Sequence, residues 1–144
     1  MPTLIPRLRV KDTAEAIDFY QRAFGAVELS RLTLQDGSIV NVELKIGEAE
    51  FQLTEESPDD PHFHSPTILG GTSIIVDLVV DNVDAVTKQA LAAGAIEQYP
   101  VTDHFYGWRQ GRVVDPFGHL WTIGTKIEDL SNAEIQRRMD EMVG

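Results

Sequence analysis

The spacing of hydrophobic residues changes period several times along the chain, and each change predicts an element. Residues 3–10 form a short run rich in apolar and β-branched side chains, the signature of a strand. Asp12 follows at an N-cap position with Glu15 three residues on, and Ile17, Tyr20 and Phe24 recur at helical spacing up to Gly25-Ala26. That pattern predicts an amphipathic helix of about 12 residues. Turn signals at Asp36-Gly37 and Gly47-Glu48 delimit strands near 26–34, 38–46 and 49–54. The succession then returns. A strand is predicted over 73–80, then a helix capped by Asp81 or Asn82 with Val83, Val86, Ala90 and Leu91 on one face. After Gly94-Ala95, strands are expected near 95–102, 109–114 and 119–124, the last two flanking the turn Asp115-Pro116-Phe117-Gly118. A shift of 69 residues superposes Ile5 on Ile74, Val10 on Val79, Asp12 on Asp81, Ala16 on Ala85 and Ala23 on Ala92 without a gap. The chain therefore reads as one βαβββ unit used twice, over about 3–54 and 73–125. Residues 55–72, rich in Pro, Asp, His and Gly, read as an exposed linker. One domain is expected over 1–130, followed by a helix over 131–144 with a Ser131/Glu134 capping box. Its stripe of Ile135, Met139 and Met142 is expected to pack on the body or on a second subunit.

Composition narrows the function classes. With 42% hydrophobic and 24% charged residues in 144, the chain can build a core without metal or disulfide staples. A net charge of −11 repels phosphate backbones and anionic lipid, so nucleic-acid and membrane-surface roles fall away. The absence of cysteine removes disulfides, thiolate metal sites and cysteine nucleophiles. No stretch approaches the roughly 20 apolar residues of a membrane span, and residues 1–7 lack a secretory h-region, so a soluble cytoplasmic protein is expected. No P-loop, GxGxxG or nucleophile elbow occurs.

Strand alternation sorts side chains onto two faces. Leu4, Leu8, Val10, Val40, Val42, Leu44, Ile46, Phe51 and Leu53 belong on the helix side of the first unit. Ile74, Val76, Leu78, Val80, His119, Trp121 and Ile123 belong there in the second. The opposite face then collects Arg7, Arg9, Asn41, Glu43, Gln52, Asp77 and Thr122, which is either a polar cup or a plain solvated face. Phe105, Tyr106 and Trp108 beside Arg109 favour flat, conjugated or anionic ligands through stacking and paired hydrogen bonds. His62 and His64 read as part of a solvated mobile loop. His104, before the aromatic segment, is a candidate general base because histidine as a residue type titrates near neutrality.

The segments Ala16-Ile17-Asp18-Phe19-Tyr20 and Ala23-Phe24-Gly25-Ala26, with Tyr106–Val113 running into Asp115–Trp121 and then Lys126–Ser131, carry a family resemblance. The chain resembles the vicinal oxygen chelate superfamily of glyoxalases, bleomycin-resistance proteins and dioxygenases, in its PhnB-like branch. The resemblance implies an α+β fold in which two βαβββ units form a cupped mixed sheet, with helices outside, the ligand inside and a homodimer as the common assembly. Enzymes of that superfamily usually hold a divalent metal with four side chains, two per unit. The matching places here are Ile5, Gln52 or a neighbour, Ile75 and Thr122. Aliphatic side chains give no ligand and a threonine hydroxyl is a poor one. PhnB-like relatives often carry His before an Ala-Glu pair, where this chain has Asn41-Val42-Glu43. No metal or other cofactor is therefore expected. The leading expectation is a protein that binds a small molecule through Arg7, Asn41, Glu43, Gln52, Asp77, Tyr106, Trp108, Arg109 and Thr122 without turnover. The alternative is a metal-dependent or acid–base lyase, isomerase or dioxygenase with Glu43 and His104 as catalytic groups. A third is a protein-interaction module acting through the C-terminal helix.

Overall fold

The computed structural model describes residues 1–144. Unit one runs β1 (Arg7–Val10), α1 (Thr13–Phe24), β2 (Val27–Thr33), β3 (Ile39–Ile46) and β4 (Ala49–Glu55). A 3-10 turn (Pro61–Phe63) and the short helix α2 (Pro66–Leu69) connect it to unit two. Unit two runs β5 (Ile75–Val79), α3 (Val83–Ala93), β6 (Ile96–Asp103), β7 (Trp108–Val114) and β8 (Leu120–Lys126), followed by α4 (Asn132–Val143). Each unit folds into a four-stranded mixed sheet, ordered β1-β4-β3-β2 and β5-β8-β7-β6, with the first pair parallel and the others antiparallel. No backbone ladder joins the two sheets. At the seam between them His119 Nε2–H donates to the Arg9 carbonyl at 2.8 Å.

The helices α1 and α3 each pack on one face of their sheet and also on each other. Apolar residues recur on one side of each because 3.6 residues make a turn, so burial of that stripe orients the helix. One core of 19 buried side chains spans both units. Tyr20 of α1 lies 5.5 Å from both the Phe51 and Trp121 rings, so the aromatic cluster bridges β4 and β8. Asp12 Oδ1 accepts from the Glu15 N–H at 3.0 Å, and Asn82 Oδ1 accepts from the Ala85 N–H at 3.0 Å, which starts the two helices alike. Gly25 ends α1 at φ 67°, a left-handed conformation that costs glycine no Cβ clash.

The repeat is real, but its spacing is not constant. The caps Asp12 and Asn82 are 70 residues apart, while Gly25 and Gly94 are 69 apart, because α1 has 12 residues and α3 has 11. Through the first strand and helix start, the equivalent pairs are Val10 with Val80 and Thr13 with Val83. The uniform shift fails there, since it pairs fully buried Val10 with Val79, which is 64% exposed. The side-chain sorting also needs three corrections. Leu4, Val40 and Ile74 are 94%, 46% and 65% exposed, because β1 and β5 begin later than the apolar runs and Val40 stands at the turn end of the β2–β3 hairpin.

The linker differs from the expected mobile loop. Ser65 and Pro66 are buried. Ser65 Oγ donates to Glu56, the His64 ring donates to the Pro58 carbonyl at 2.9 Å, and the Arg9 guanidinium lies 4.4 Å above the Phe63 ring. Pro66 fits against Gly118 (φ 87°) so closely that a Cβ there would stand 2.8 Å from Pro66 Cβ. The C-terminal helix forms with the predicted cap, Ser131 Oγ accepting from the Glu134 N–H at 3.1 Å. Its attachment is polar, through Arg138 to the Phe105 carbonyl at 2.9 Å and to Glu128 at 3.0 Å. Ile135 is half-buried, and Met139 and Met142 are exposed, so the expected stripe does not pack on the body.

Candidate functional site

Because the helices cover one face of each sheet, the other face is open. On unit one that face carries Arg7, Gln52, Glu43 and Asn41. Registers set Arg7 beside Gln52, Gln52 beside Glu43, and Asn41 beside Thr54. Arg7 Nε donates to Gln52 Oε1 at 3.1 Å. The hollow here is small, about 100 Å³, with Ile5, Glu43 and Gln52 among its lining.

Unit two carries a cleft of about 440 Å³, lined among others by Asp77, Tyr106, Trp108, Gln110, Arg112 and Thr122. The aromatic segment enters β7 at Trp108, and alternation then sends Trp108, Gln110 and Arg112 to the open face. Gly111 and Val113 face the helices and are buried. Arg112 Nε donates to Thr122 Oγ1 at 2.9 Å, and its guanidinium lies 5.0 Å from the Tyr99 ring centre. No carboxylate pairs with it. Tyr106 receives a hydrogen bond from Gln110 and stacks on His104 at 5.2 Å. Burial, with Tyr99 beside it, raises the Tyr106 phenol above the ordinary tyrosine range, against the Gln110 hydrogen bond, which lowers it. Arg112 and Asp77 line the same cleft as Tyr106.

The structure thus brings Asp77, Tyr106, Trp108 and Thr122 together and places Arg7, Asn41, Glu43 and Gln52 on the other sheet. Arg109 lies apart from both sets. One residue from Trp108, it points to the helix side, where it holds Asp84 at 2.8 Å and Asp103 at 2.9 Å. Those hydrogen bonds raise its pKa and depress that of Asp84. Arg112 was the residue that strand parity could have found, because it shares the parity of Trp108 while Arg109 does not. The two catalytic candidates are also separated. Glu43 lies on β3 of unit one; His104 lies in unit two, its ring nitrogen donating to the Gln110 carbonyl at 3.3 Å.

The side chains at the four matching places do not fit a divalent metal. Ile5 and Ile75 have no donor atom, Gln52 Oε1 already accepts from Arg7, and Thr122 Oγ1 accepts from Arg112. No three His, Cys, Asp or Glu side chains gather at any point in the chain.

A family model for the glyoxalase/bleomycin resistance protein/dioxygenase superfamily matches residues 4–123. The chain belongs to that superfamily. The uncharacterized protein Rv0887c of Mycobacterium tuberculosis is 41% identical over 140 residues, covering 96% of this chain and 82% of that one. Among solved structures, TioX from Micromonospora sp. ML1 is 27% identical with a TM-score of 0.67, covering 90% of this chain and 100% of that one. The PhnB protein from Bacillus cereus shares the superfamily fold at 16% identity and a TM-score of 0.66, over 86% of this chain and 99% of that one.

Proposed function

We propose that this superfamily member binds a small organic molecule in the unit-two cleft, as a cytoplasmic homodimer, and sequesters or carries it without a catalytic metal. The observation that carries the reading is Arg112. In a chain of net charge −11, an arginine without a carboxylate partner, half-buried in a cleft of about 440 Å³, is an acceptor-seeking group. Thr122 and Tyr99 orient it, and Tyr106 and Trp108 offer ring faces for the apolar part of a ligand. An enzyme that used Glu43 and His104 together would have to bring them from separate sheets, and Arg7, Asn41, Glu43 and Gln52 would serve such a site only from unit one.

The test is a titration of the purified protein with a panel of aromatic and aliphatic organic acids, followed by Trp108 fluorescence. Trp121 is buried in the core and serves as a constant background. At least one acid is expected to change the Trp108 emission, with Arg112→Ala weakening that binding by about 10- to 100-fold, the value of a charge-assisted hydrogen bond. Binding unaffected by Arg112→Ala, or binding only in the presence of added Zn or Mn, would overturn the reading.

A further inference from the structure

The sheet registers expose a relation between the two open faces that sequence shifting hides. In unit two, Asp77, Thr122, Arg112 and Tyr99 stand side by side across β5, β8, β7 and β6. The ladder-equivalent row in unit one is Arg7, Gln52, Glu43 and Ser30 across β1, β4, β3 and β2. The charges run in opposite order, and in each row a neutral hydrogen-bonding side chain separates them. Each arginine gives its Nε to that neutral neighbour, at 3.1 Å for Arg7 and 2.9 Å for Arg112. Neither closes on the carboxylate of its own row, whereas Arg22, Arg31, Arg109, Arg137 and Arg138 all hold carboxylates.

Strands in a sheet are about 4.8 Å apart, so the backbones of Asp77 and Arg112, two strands apart, are separated by roughly 10 Å. Arg112 gives its Nε to Thr122, on the Asp77 side, and its Nη1 to Gln98 at 3.5 Å on the far side, over the Tyr99 ring. A cation and an anion therefore line one cleft without pairing, with Tyr106 and Trp108 also in its wall. A lone anion would satisfy Arg112 and leave Asp77 repelling it; a lone cation would do the reverse. A ligand that carries both charges on neighbouring atoms satisfies the pair and cancels its own long-range repulsion. Unit one has Ser30 where unit two has Tyr99, and its two charges do not share a hollow: Glu43 lines one of about 100 Å³, and Arg7 lines a separate one with Arg9, His64 and His119.

Resting on the cleft reading above, we propose that the ligand is a small zwitterion of the α-amino-acid type with an apolar or aromatic side chain, its carboxylate on Arg112 and its ammonium on Asp77. The probes are L-phenylalanine, 3-phenylpropanoate, which lacks the ammonium, and 2-phenylethylamine, which lacks the carboxylate, each titrated by calorimetry into the full-length protein. Phenylalanine is expected to bind about tenfold or more tightly than either analogue. Asp77→Asn should erase its advantage over 3-phenylpropanoate alone, and Arg112→Gln its advantage over 2-phenylethylamine alone. This crossed pattern would not follow from a structural role. Equal wild-type affinities for phenylalanine and 3-phenylpropanoate would overturn the zwitterion and leave the cleft reading standing. Failure of all three probes would overturn it as well, and the cleft reading would fall only if the organic-acid panel also failed. A shift in oligomeric state in both variants, with unchanged discrimination among the probes, would assign the charge row to subunit pairing and sink the proposal.

Discussion

Asp115 is where the two units are tied together at the scale of single residues. Its buried carboxylate accepts from the Trp121 indole N–H at 2.9 Å, from the Phe117 and His119 N–H groups at 2.9 and 3.0 Å, and from the Tyr20 hydroxyl across the unit boundary. A carboxylate removed from water is tolerable when donors replace its hydration, and here each oxygen has two. Burial and the Asp115 charge together push the Tyr20 phenol well above the ordinary tyrosine range, so it stays a donor. Tyr20→Phe is expected to destabilise by about 1.5 kcal/mol, and Asp115→Asn, which turns an amide NH2 against two of the four donors, by about 3 kcal/mol in urea unfolding. Losses within about 0.5 kcal/mol for both would show that the tie contributes little. The sequence marked Asp115 as a turn residue, and its Asx turn is present, but the partnership with Tyr20 spans 95 positions and no local pattern reports it. The same limit applies to the ligand cleft. Asp77 and Thr122 were legible from alternation, and Arg112 was within reach of the same rule. Arg109 was singled out by its neighbours in sequence, although its parity turns it to the helix side.

At the scale of elements, the repeat was legible because both units need the same cap, the same apolar stripe and the same turn chemistry. Its one-residue slip was not, since a helix can lose a residue near its end while the cap and the stop glycine survive. The linker misled for a different reason. Its composition is that of a loop, yet Ser65 is held by Glu56 within it and Pro66 packs against Gly118, which lies outside it and which no local pattern reports. The helix α4 is held by charge and not by its apolar stripe, which gives it a pH signature. Hydrogen bonds from Arg137 and Arg138 lower the Glu134 carboxyl from 4.5 to about 2. A native value below the unfolded one adds stability above the unfolded value, and that contribution disappears as pH falls through about 2. Glu134 is therefore expected to remain ionised at about pH 3, where ordinary glutamates protonate, in a carbon-detected titration. Amide-exchange protection of α4 should likewise persist to that pH in the wild type and be reduced in Glu134→Gln. Protonation of Glu134 near 4.5 would show that the network is not formed.

For the molecule as a whole, apolar side chains are left uncovered in one place above all. Val27, Leu29, Leu32, Leu34 and Val40 are exposed on the single hairpin formed by β2 and β3. Scattered apolar residues on a surface need no explanation, but five on one hairpin do. In the homodimer proposed here that hairpin is the natural contact, so sedimentation equilibrium should return twice the 16.0 kDa chain mass. Leu32→Glu together with Val40→Glu should shift the equilibrium toward single chains; a wild type that sediments as a single chain would contradict the assembly. No helix is long and apolar enough to cross a membrane. The central claim concerns the open face of unit two, and amide chemical-shift mapping tests it most directly. During titration with whichever organic acid changes the Trp108 emission, shifts are predicted to concentrate in β5, β7 and β8 around Asp77, Arg112 and Thr122, with unit one quiet. Shifts centred on Glu43 and Gln52, or spread without relation to the cleft, would contradict it.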